Sequence, residues 1–230
     1  RVQNYNALGE NVSYYDKVPQ RVIAVGEQIN ETLVALGVEQ NVICPVRYGN
    51  PFYTPEPQYA EGYNNIKFQD NVVLNMENVL SMQPDLIISG QVLYADKKLK
   101  STDFWNKRGI HTYVSTNANS PTSHNKKETL EQEWDFILGL GTIFAKETEA
   151  KKIVADMQQD IAAVREKTQF LPKPKVMIIE MLGKNIVAYD DTKLAGDICV
   201  KLGAQVPSFT SGTIGLETII EEDPDVLFVV

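Results

Sequence analysis

The stretch L-N-M-E-N-V-L-S-M-Q-P-D-L-I-I, Leu74 to Ile88, is echoed late in the chain by I-G-L-E-T-I-I-E-E-D-P-D-V-L-F, Ile214 to Phe228. In both, a glutamate (Glu77, Glu217) stands seven residues before a Pro-Asp pair, a short amphipathic helix fills the interval, and an apolar strand follows. Each copy is also preceded by a strand-helix pair ending in Leu-Gly, Leu36-Gly37 and Leu202-Gly203. A supersecondary unit that recurs once, far apart, marks two lobes of one design.

Outward from these copies, apolar runs alternate with helical patterns, the sign of βα units around a mostly parallel sheet. Arg21 to Val25 reads as a buried strand ended by Gly26, Asn30 to Leu36 as a helix stopped by Gly37, and Asn41 to Val46 as a second strand. Asn75 to Met82 is a short helix closed by the Pro84 boundary. Asp85 to Ser89 is a strand, Lys98 to Arg108 a helix capped by Gly109, and Ile110 to Ser115 a strand. Residues 126 to 168 are helical almost throughout, interrupted near Gly139 and Gly141. Ala150, Ile153, Val154, Met157, Ile161 and Val164 form one apolar stripe there. Thr148 to Thr168 would span roughly 30 Å, enough to bridge two lobes. After L-P-K-P-K (Leu171 to Lys175) come strands Val176 to Glu180 and Ile186 to Ala188, then a helix from Leu194 to Leu202. The expected organisation is an N-terminal extension over 1–18, an α/β lobe over 19–125, bridging helices over 126–170 and a second α/β lobe over 171–230. The fold class is α/β, two Rossmann-like lobes joined by a long rigid helix.

Composition narrows the function classes. With 43% hydrophobic and 23% charged residues in 230, the chain is neither disordered nor a disulfide scaffold. Thirty acidic against 22 basic residues leave a formal charge of -8, which repels nucleic acid and anionic lipid. No run approaches the ~18 apolar residues of a membrane span. Cys44 and Cys199 read as small buried hydrophobes, a disulfide between them being the alternative. His111 and His124 lack the neighbours of a zinc site or a haem ligand. Trp105, Trp134, Met76 and Met82 read as core.

The repeat, the segment P-Q-R-V-I-A-V…E-T-L-V-A-L-G (Pro19 to Gly37) and the long bridge together resemble the substrate-binding proteins of ABC importers. The similarity is to the group with a helical hinge that binds iron-siderophores, haem and cobalamin. It implies an extracytoplasmic, monomeric receptor that captures a chelate between its lobes and delivers it to a membrane permease, with no covalent cofactor. The ligand it implies is a ferric siderophore, haem or a corrinoid. The resemblance further implies that Glu77 and Glu217 dock onto arginines of the permease dimer. A carboxylate near a helix N-terminus stays ionised and meets arginine bidentately; serving its own helix end is the simpler role. Secretion follows from the resemblance, as a free periplasmic protein or a cell-surface lipoprotein anchored through an upstream cysteine.

Ligands of open α/β sheets sit beyond the carboxyl ends of the strands. The loops there carry Gly26, Glu27 and Gln28; Arg47 and Tyr48, followed by Phe52, Tyr53, Tyr59 and Tyr63; Gly90, Gln91 and Tyr94; Thr116, Asn117 and Asn119; and, from the second lobe, Met181, Leu182, Lys184 and Asn185. Of these, Gln28, Arg47, Tyr48, Gln91, Tyr94, Asn117, Met181 and Asn185 are the expected ligand contacts. Arg47 can bind a carboxylate, propionate or catecholate oxygen and stack on an aromatic plane, or it can form a surface ion pair. Tyr48 and Tyr94 offer flat contact area with a hydroxyl, whereas Tyr59 and Tyr63 read as pins of their own lobe. Gln91 stands where siderophore binders of this type often place an arginine, which favours a neutral or less charged ligand.

Two other classes use similar lobes. A Rossmann-like enzyme, for example a nucleotide-sugar transferase, needs a Gly-rich phosphate loop after the first strand, and here that turn reads V-G-E-Q-I-N. Ser89-Gly90 and Ser211-Gly212 are too generic for a nucleophile elbow. A receptor for a bare metal ion on the same scaffold needs more histidine than the two present. The first lobe continues past its Pro-Asp strand with a helix and another strand, while the second stops mid-step at V-L-F-V-V. The second lobe is therefore expected to be truncated, with part of its site residues missing.

Overall fold

The computed structural model of the protein describes residues 1–6, 9–48, 52–117, 127–209 and 212–230. In chain order the elements are strands β1 (Val2–Asn6), β2 (Gly9–Ser13) and β3 (Val22–Val25), helix α1 (Glu27–Ala35), strand β4 (Val42–Val46), helices α2 (Ala60–Asn64) and α3 (Met76–Met82), strand β5 (Leu86–Ser89), helix α4 (Thr102–Asn106) and strand β6 (His111–Val114). Helices α5 (Leu130–Ile143) and α6 (Glu147–Thr168) follow, then strands β7 (Val176–Leu182) and β8 (Asn185–Tyr189), helix α7 (Leu194–Leu202), strand β9 (Thr213–Ile214), helix α8 (Leu216–Glu222) and strand β10 (Val226–Val229). They divide into two compact units, one of Arg1–His124 and Glu133–Val154, the other of Asn125–Gln132 and Ala155–Val230. The first turn of α5 belongs with the second unit and its remainder with the first. Helix α6 passes from the first unit to the second after Val154.

The first unit is built on a parallel sheet of order β4-β3-β5-β6. Strands β3 and β5 are buried at every residue, as continuous apolar runs in a parallel sheet must be. Pro45, which has no N–H for a ladder, sits on the edge strand β4. Around the sheet lie Ile23, Cys44, Val79, Ile87, Leu99 and a fully buried Trp105, whose indole N–H donates to the Leu99 carbonyl.

Three expectations change here. Residues 1–18 do not form a mere extension: β1 and β2 pair as an antiparallel hairpin, with Val2, Asn4 and Tyr5 buried. Asn4 closes the edge of β6 with its side chain, Nδ2 donating to the Thr112 carbonyl at 2.6 Å and Oδ1 accepting from the Val114 N–H at 3.0 Å. The helix expected over Lys98 to Arg108 shrinks to α4, because Lys100 takes a left-handed φ of 60° and Ser101 caps the turn that follows, its Oγ accepting from the Phe104 N–H. Gly139 and Gly141 do not interrupt the long helical region. They lie inside α5, and their missing side chains admit neighbours: a Cβ would stand 1.9 Å from the Tyr113 hydroxyl at Gly139 and 2.4 Å from the Ala150 Cβ at Gly141. The break falls at 144–146, where Ala145 has φ 53°.

The second unit carries the sheet β10-β7-β8-β9. Only β10 and β7 are parallel; β7 with β8 and β8 with β9 are antiparallel, which corrects the expectation of a mostly parallel sheet there. A two-residue turn at Gly183-Lys184, with Gly183 at φ 63°, folds β8 back onto β7. Helix α7 spans the expected residues, and Gly203 ends it in the left-handed conformation. Cys44 and Cys199 are both free.

The repeated Pro-Asp pairs have one structural task in both units. The Asp85 carboxylate accepts from the backbone N–H groups of Gln20 (2.8 Å) and Arg21 (2.9 Å), directly before β3, and the Arg21 side chain donates to the Met82 and Gln83 carbonyls at the end of α3. Asp225 accepts from the Lys175 N–H at 2.7 Å, directly before β7, and Lys175 Nζ donates to the Glu222 carbonyl at the end of α8. Both short helices end in a left-handed residue, Gln83 (φ 50°) and Asp223 (φ 45°). The register is shared as well, Val22 opposite Leu86 and Val176 opposite Val226. A carboxylate thus locks each short helix and its strand to the first strand of the unit's four-stranded sheet, β3 or β7. Asp85→Ala and Asp225→Ala are each expected to destabilise the protein by about 1–3 kcal/mol, the cost of charge-assisted bonds to backbone N–H. Urea midpoints measure it, with unchanged midpoints for both variants as the contrary result.

Candidate functional site

The carboxyl ends of β3, β4 and β5 bring a cluster of aromatic and charged side chains together in the first unit. Gly26, with φ 128°, lets the chain pass from β3 straight into α1, so Glu27 and Gln28 form the first helical turn and not the loop expected of them. Gln28 is exposed. Glu27 is turned inward, 2% exposed, and accepts the Tyr48 N–H at 3.0 Å. One turn on, Glu31, 7% exposed, accepts the Glu56 N–H at 2.8 Å and the Tyr53 hydroxyl. Burial of Tyr53, and then its bond to Glu31, push its hydroxyl pKa far above the ordinary phenol value. Two carboxylates on one face of α1 therefore tie down the segment after β4 that carries Arg47 and Tyr48.

Tyr53, Tyr63, Phe68 and Arg47 continue as a ladder. The rings of Tyr53 and Tyr63 lie 5.6 Å apart, those of Tyr63 and Phe68 5.4 Å, and the Arg47 guanidinium stands 4.0 Å over Phe68. Arg47 Nη1 also donates to both carboxylate oxygens of Asp70, at 2.6 and 2.7 Å. Arg47 thus forms the surface ion pair and stacks on an aromatic ring of its own unit. Tyr48 is half-exposed beside it. Tyr63 is buried, as expected of a pin.

At the end of β5, Gln91 is buried with an Oε1 that has no hydrogen-bond donor among the described residues. Tyr94 does not supply contact area to a ligand in this conformation: the ring is in the core and its hydroxyl donates to the Ile87 carbonyl. After β6, Asn117 donates to Glu133 at 2.6 Å. Asn119, His124 and Ser211 lie outside the described residues. A cavity of about 390 Å³ opens beside the edge strand β4, lined by Val42, Ile43, Pro45, Gly62, Ile66 and Lys67.

In the second unit the β7–β8 hairpin presents Met181 and Leu182, each about half-exposed, with Asn185 paired opposite Leu182. Glu77 and Glu217 occupy the same place, the second residue of α3 and of α8, and both are exposed. The Glu217 carboxylate lies over the helix end, close enough that a Cβ on Gly215 would meet it at 2.5 Å. Among the described residues no group of three or more His, Cys, Asp and Glu is placed to hold a metal ion. No described helix is long and apolar enough to cross a membrane.

Sequence reasoning missed Glu31, Asp70 and Phe68. The first was legible as one of two carboxylates spaced i,i+4 on a helix whose other side is Ile29 and Leu33; the other two lie in a polar loop with no periodicity to single them out.

These features match a known class of proteins. A curated relative from Bacillus subtilis (strain 168), named "Probable siderophore-binding lipoprotein YfiY", is 25% identical over 224 residues, covering 91% of this chain and 63% of its own length. The "Iron-uptake system-binding protein" of the same organism is 29% identical over 162 residues, covering 67% of this chain and 46% of its own. The chain thus spans between about half and two thirds of the curated relatives it matches. The crystal structure of a periplasmic binding protein from Veillonella parvula DSM 2008 superposes with a TM-score of 0.87 at 30% identity, covering 99% of this chain and 71% of that one. A family model described as periplasmic binding protein matches residues 22–230, and the chain belongs to that family.

Proposed function

We propose that this protein is the extracytoplasmic substrate-binding protein of an ABC importer and that its ligand is an iron-siderophore, haem or cobalamin-like chelate. The observation that carries the reading is the paired architecture. In each unit the first strand of the main four-stranded sheet is locked to an E-x6-P-D helix and strand, and each unit leaves one glutamate exposed at the same helical position. Relatives named for siderophore binding and iron uptake support the ligand class. Arg47, Tyr48, Gln28 and Gln91 are the ligand-facing residues of the first unit, Asn117 the support of its last strand end, and Met181 and Asn185 the contacts of the second. Gln91 presents a buried acceptor without a donor among the described residues, suited to a ligand N–H or hydroxyl. Glu77 and Glu217 dock the loaded protein onto arginines of the permease. The protein acts as a monomer without a covalent cofactor, in the periplasm or as a surface lipoprotein.

An enzyme built on Rossmann-like lobes would offer the N-terminus of α1 to a phosphate. Here the first turn of α1 is occupied by the buried Glu27 carboxylate, which repels one. Deletion of the gene is expected to abolish growth on one iron-chelate, haem or corrinoid source and spare growth on simple iron or cobalamin-independent media. Unimpaired growth on every such source is the result against it.

A further inference from the structure

The guanidinium of Arg47 enters any ligand encounter already engaged. Both Asp70 oxygens lie on Nη1, at 2.6 and 2.7 Å, while the Phe68 ring fixes the guanidinium plane at 4.0 Å. Both side chains of the pair are about half exposed, 45% for Arg47 and 56% for Asp70, so a ligand can exchange for Asp70 without opening the core. The same sheet end carries the buried Glu27, which accepts the Tyr48 N–H, and the buried Glu31, which accepts the Glu56 N–H and the Tyr53 hydroxyl. Carboxylates thus outnumber the guanidinium in this cluster. Lys67, the other cation of the 65–70 segment, lines the cavity beside β4 instead.

We propose that Asp70 is a specificity-determining residue: an internal carboxylate that competes with anionic ligand groups for Arg47 and selects neutral or cationic ferric chelates over polyanionic ones. The inference rests on the ligand reading above. An anionic catecholate or carboxylate oxygen gains Arg47 only by displacing an equivalent oxygen and then faces the released Asp70 charge. A neutral hydroxamate chelate stacks beside the neutralised pair and meets no such competitor. An exposed ion pair is worth up to about 1 kcal/mol, which corresponds to roughly fivefold in affinity. Repulsion by the freed carboxylate adds to this, so the expected discrimination is about five- to tenfold.

The test compares dissociation constants of the purified protein for a trianionic ferric tris-catecholate and for a neutral ferric trishydroxamate, by fluorescence quenching. Asp70→Asn and Asp70→Ser are each expected to raise the ratio of tris-catecholate to trishydroxamate affinity by about five- to tenfold. Adding Arg47→Gln to either variant is expected to cancel the rise. A ratio within twofold of wild type in both variants, with the chelates bound, overturns the proposal while leaving the ligand reading standing. If neither wild type nor variants bind these chelates, haem or a corrinoid, the ligand reading fails and the proposal falls with it.

Discussion

Replacing Glu77 and Glu217 together by alanine is expected to abolish ligand uptake while the protein still folds and still binds its ligand. Both carboxylates are exposed at the second residue of a short helix, and no ion pair to either exists among the described residues. Their own helix ends gain roughly 0.3–1 kcal/mol from each, too little for their loss to unfold the protein. Against permease arginines each would contribute a charge-assisted hydrogen bond of about 1.5–3 kcal/mol. Loss of both weakens docking by about 3–6 kcal/mol, roughly two to four orders of magnitude in the docking constant. Uptake of a radiolabelled chelate by whole cells, with the dissociation constant of the purified variant as control, measures it. Wild-type uptake by the double variant removes the docking role and leaves the helix-end role.

The second large effect concerns Asp197 on α7. Its side chain is buried, 4% exposed, and accepts the Leu130 N–H at the start of α5 (3.0 Å) and Lys201 Nζ (3.0 Å), with Lys127 Nζ at 3.5 Å. The arrangement is reciprocal: Glu128, just before α5, accepts the Leu194 N–H at the start of α7 and pairs with Lys193 at 2.7 Å. Each helix N-terminus is thus capped by a carboxylate from the other. Asp197→Ala leaves the Leu130 N–H without its acceptor and removes one of two carboxylates from each lysine, Lys201 keeping Glu131 and Lys127 keeping Asp191, and is expected to cost about 2–4 kcal/mol. Asp197→Asn keeps an acceptor and is expected to cost about half as much.

The same carboxylate gives a pH dependence of known sign. Burial alone would raise the Asp197 pKa, but the Leu130 N–H, Lys201 and Lys127 outweigh it and hold the carboxyl below the ordinary value. A folded-state pKa below the unfolded one, about 3.9 for aspartate, contributes stability that is complete above the unfolded value. That contribution is lost as pH falls through the folded one. The stability gap between wild type and Asp197→Asn is therefore expected to be constant from neutral pH to about pH 5 and to close below it. Urea denaturation followed by circular dichroism at several pH values reads the gap; one that widens on acidification contradicts the assignment.

Much of the fold was legible because its signals are local. Apolar runs such as Val22–Val25 and Leu86–Ser89 are buried on both faces, and the helix Leu194–Leu202 is punctuated by Gly203. The illegible parts depend on partners distant in sequence. Asn4 is an unremarkable polar residue until it meets the backbone of β6 at Thr112 and Val114. Gly139 looks like a helix breaker until Tyr113 occupies the space its side chain would fill. In the second unit, β8 reads as one more apolar strand, and only the conformation of Gly183 decides that it turns back antiparallel.

The sheet end that carries Arg47 and Tyr48 was legible in the sequence, and its packing only in part. Position after a strand singled out Arg47 and Tyr48, and both lie half-exposed at that end of the sheet. The same rule named Tyr94, whose hydroxyl finds an acceptor in β5 itself and whose ring is thereby drawn into the core. It passed over Asp70 and Phe68, which reach Arg47 from a loop joined to β4 by the Gln69 N–H on the Pro45 carbonyl. The Pro-Asp repeat is visible in the sequence as a repeat. That its aspartates are locks for the strands before them emerges only from the hydrogen bonds.

Binding itself is the most direct measurement of the central claim. Titration calorimetry of the purified protein against ferric trishydroxamates, ferric catecholates, haem and corrinoids is predicted to show saturable one-to-one binding of one of these classes. A hundredfold excess over Kd of that ligand should stabilise the protein by about 2.7 kcal/mol, on the order of 5–10 °C in Tm. No saturable heat and no thermal shift with any of the four classes would contradict the account.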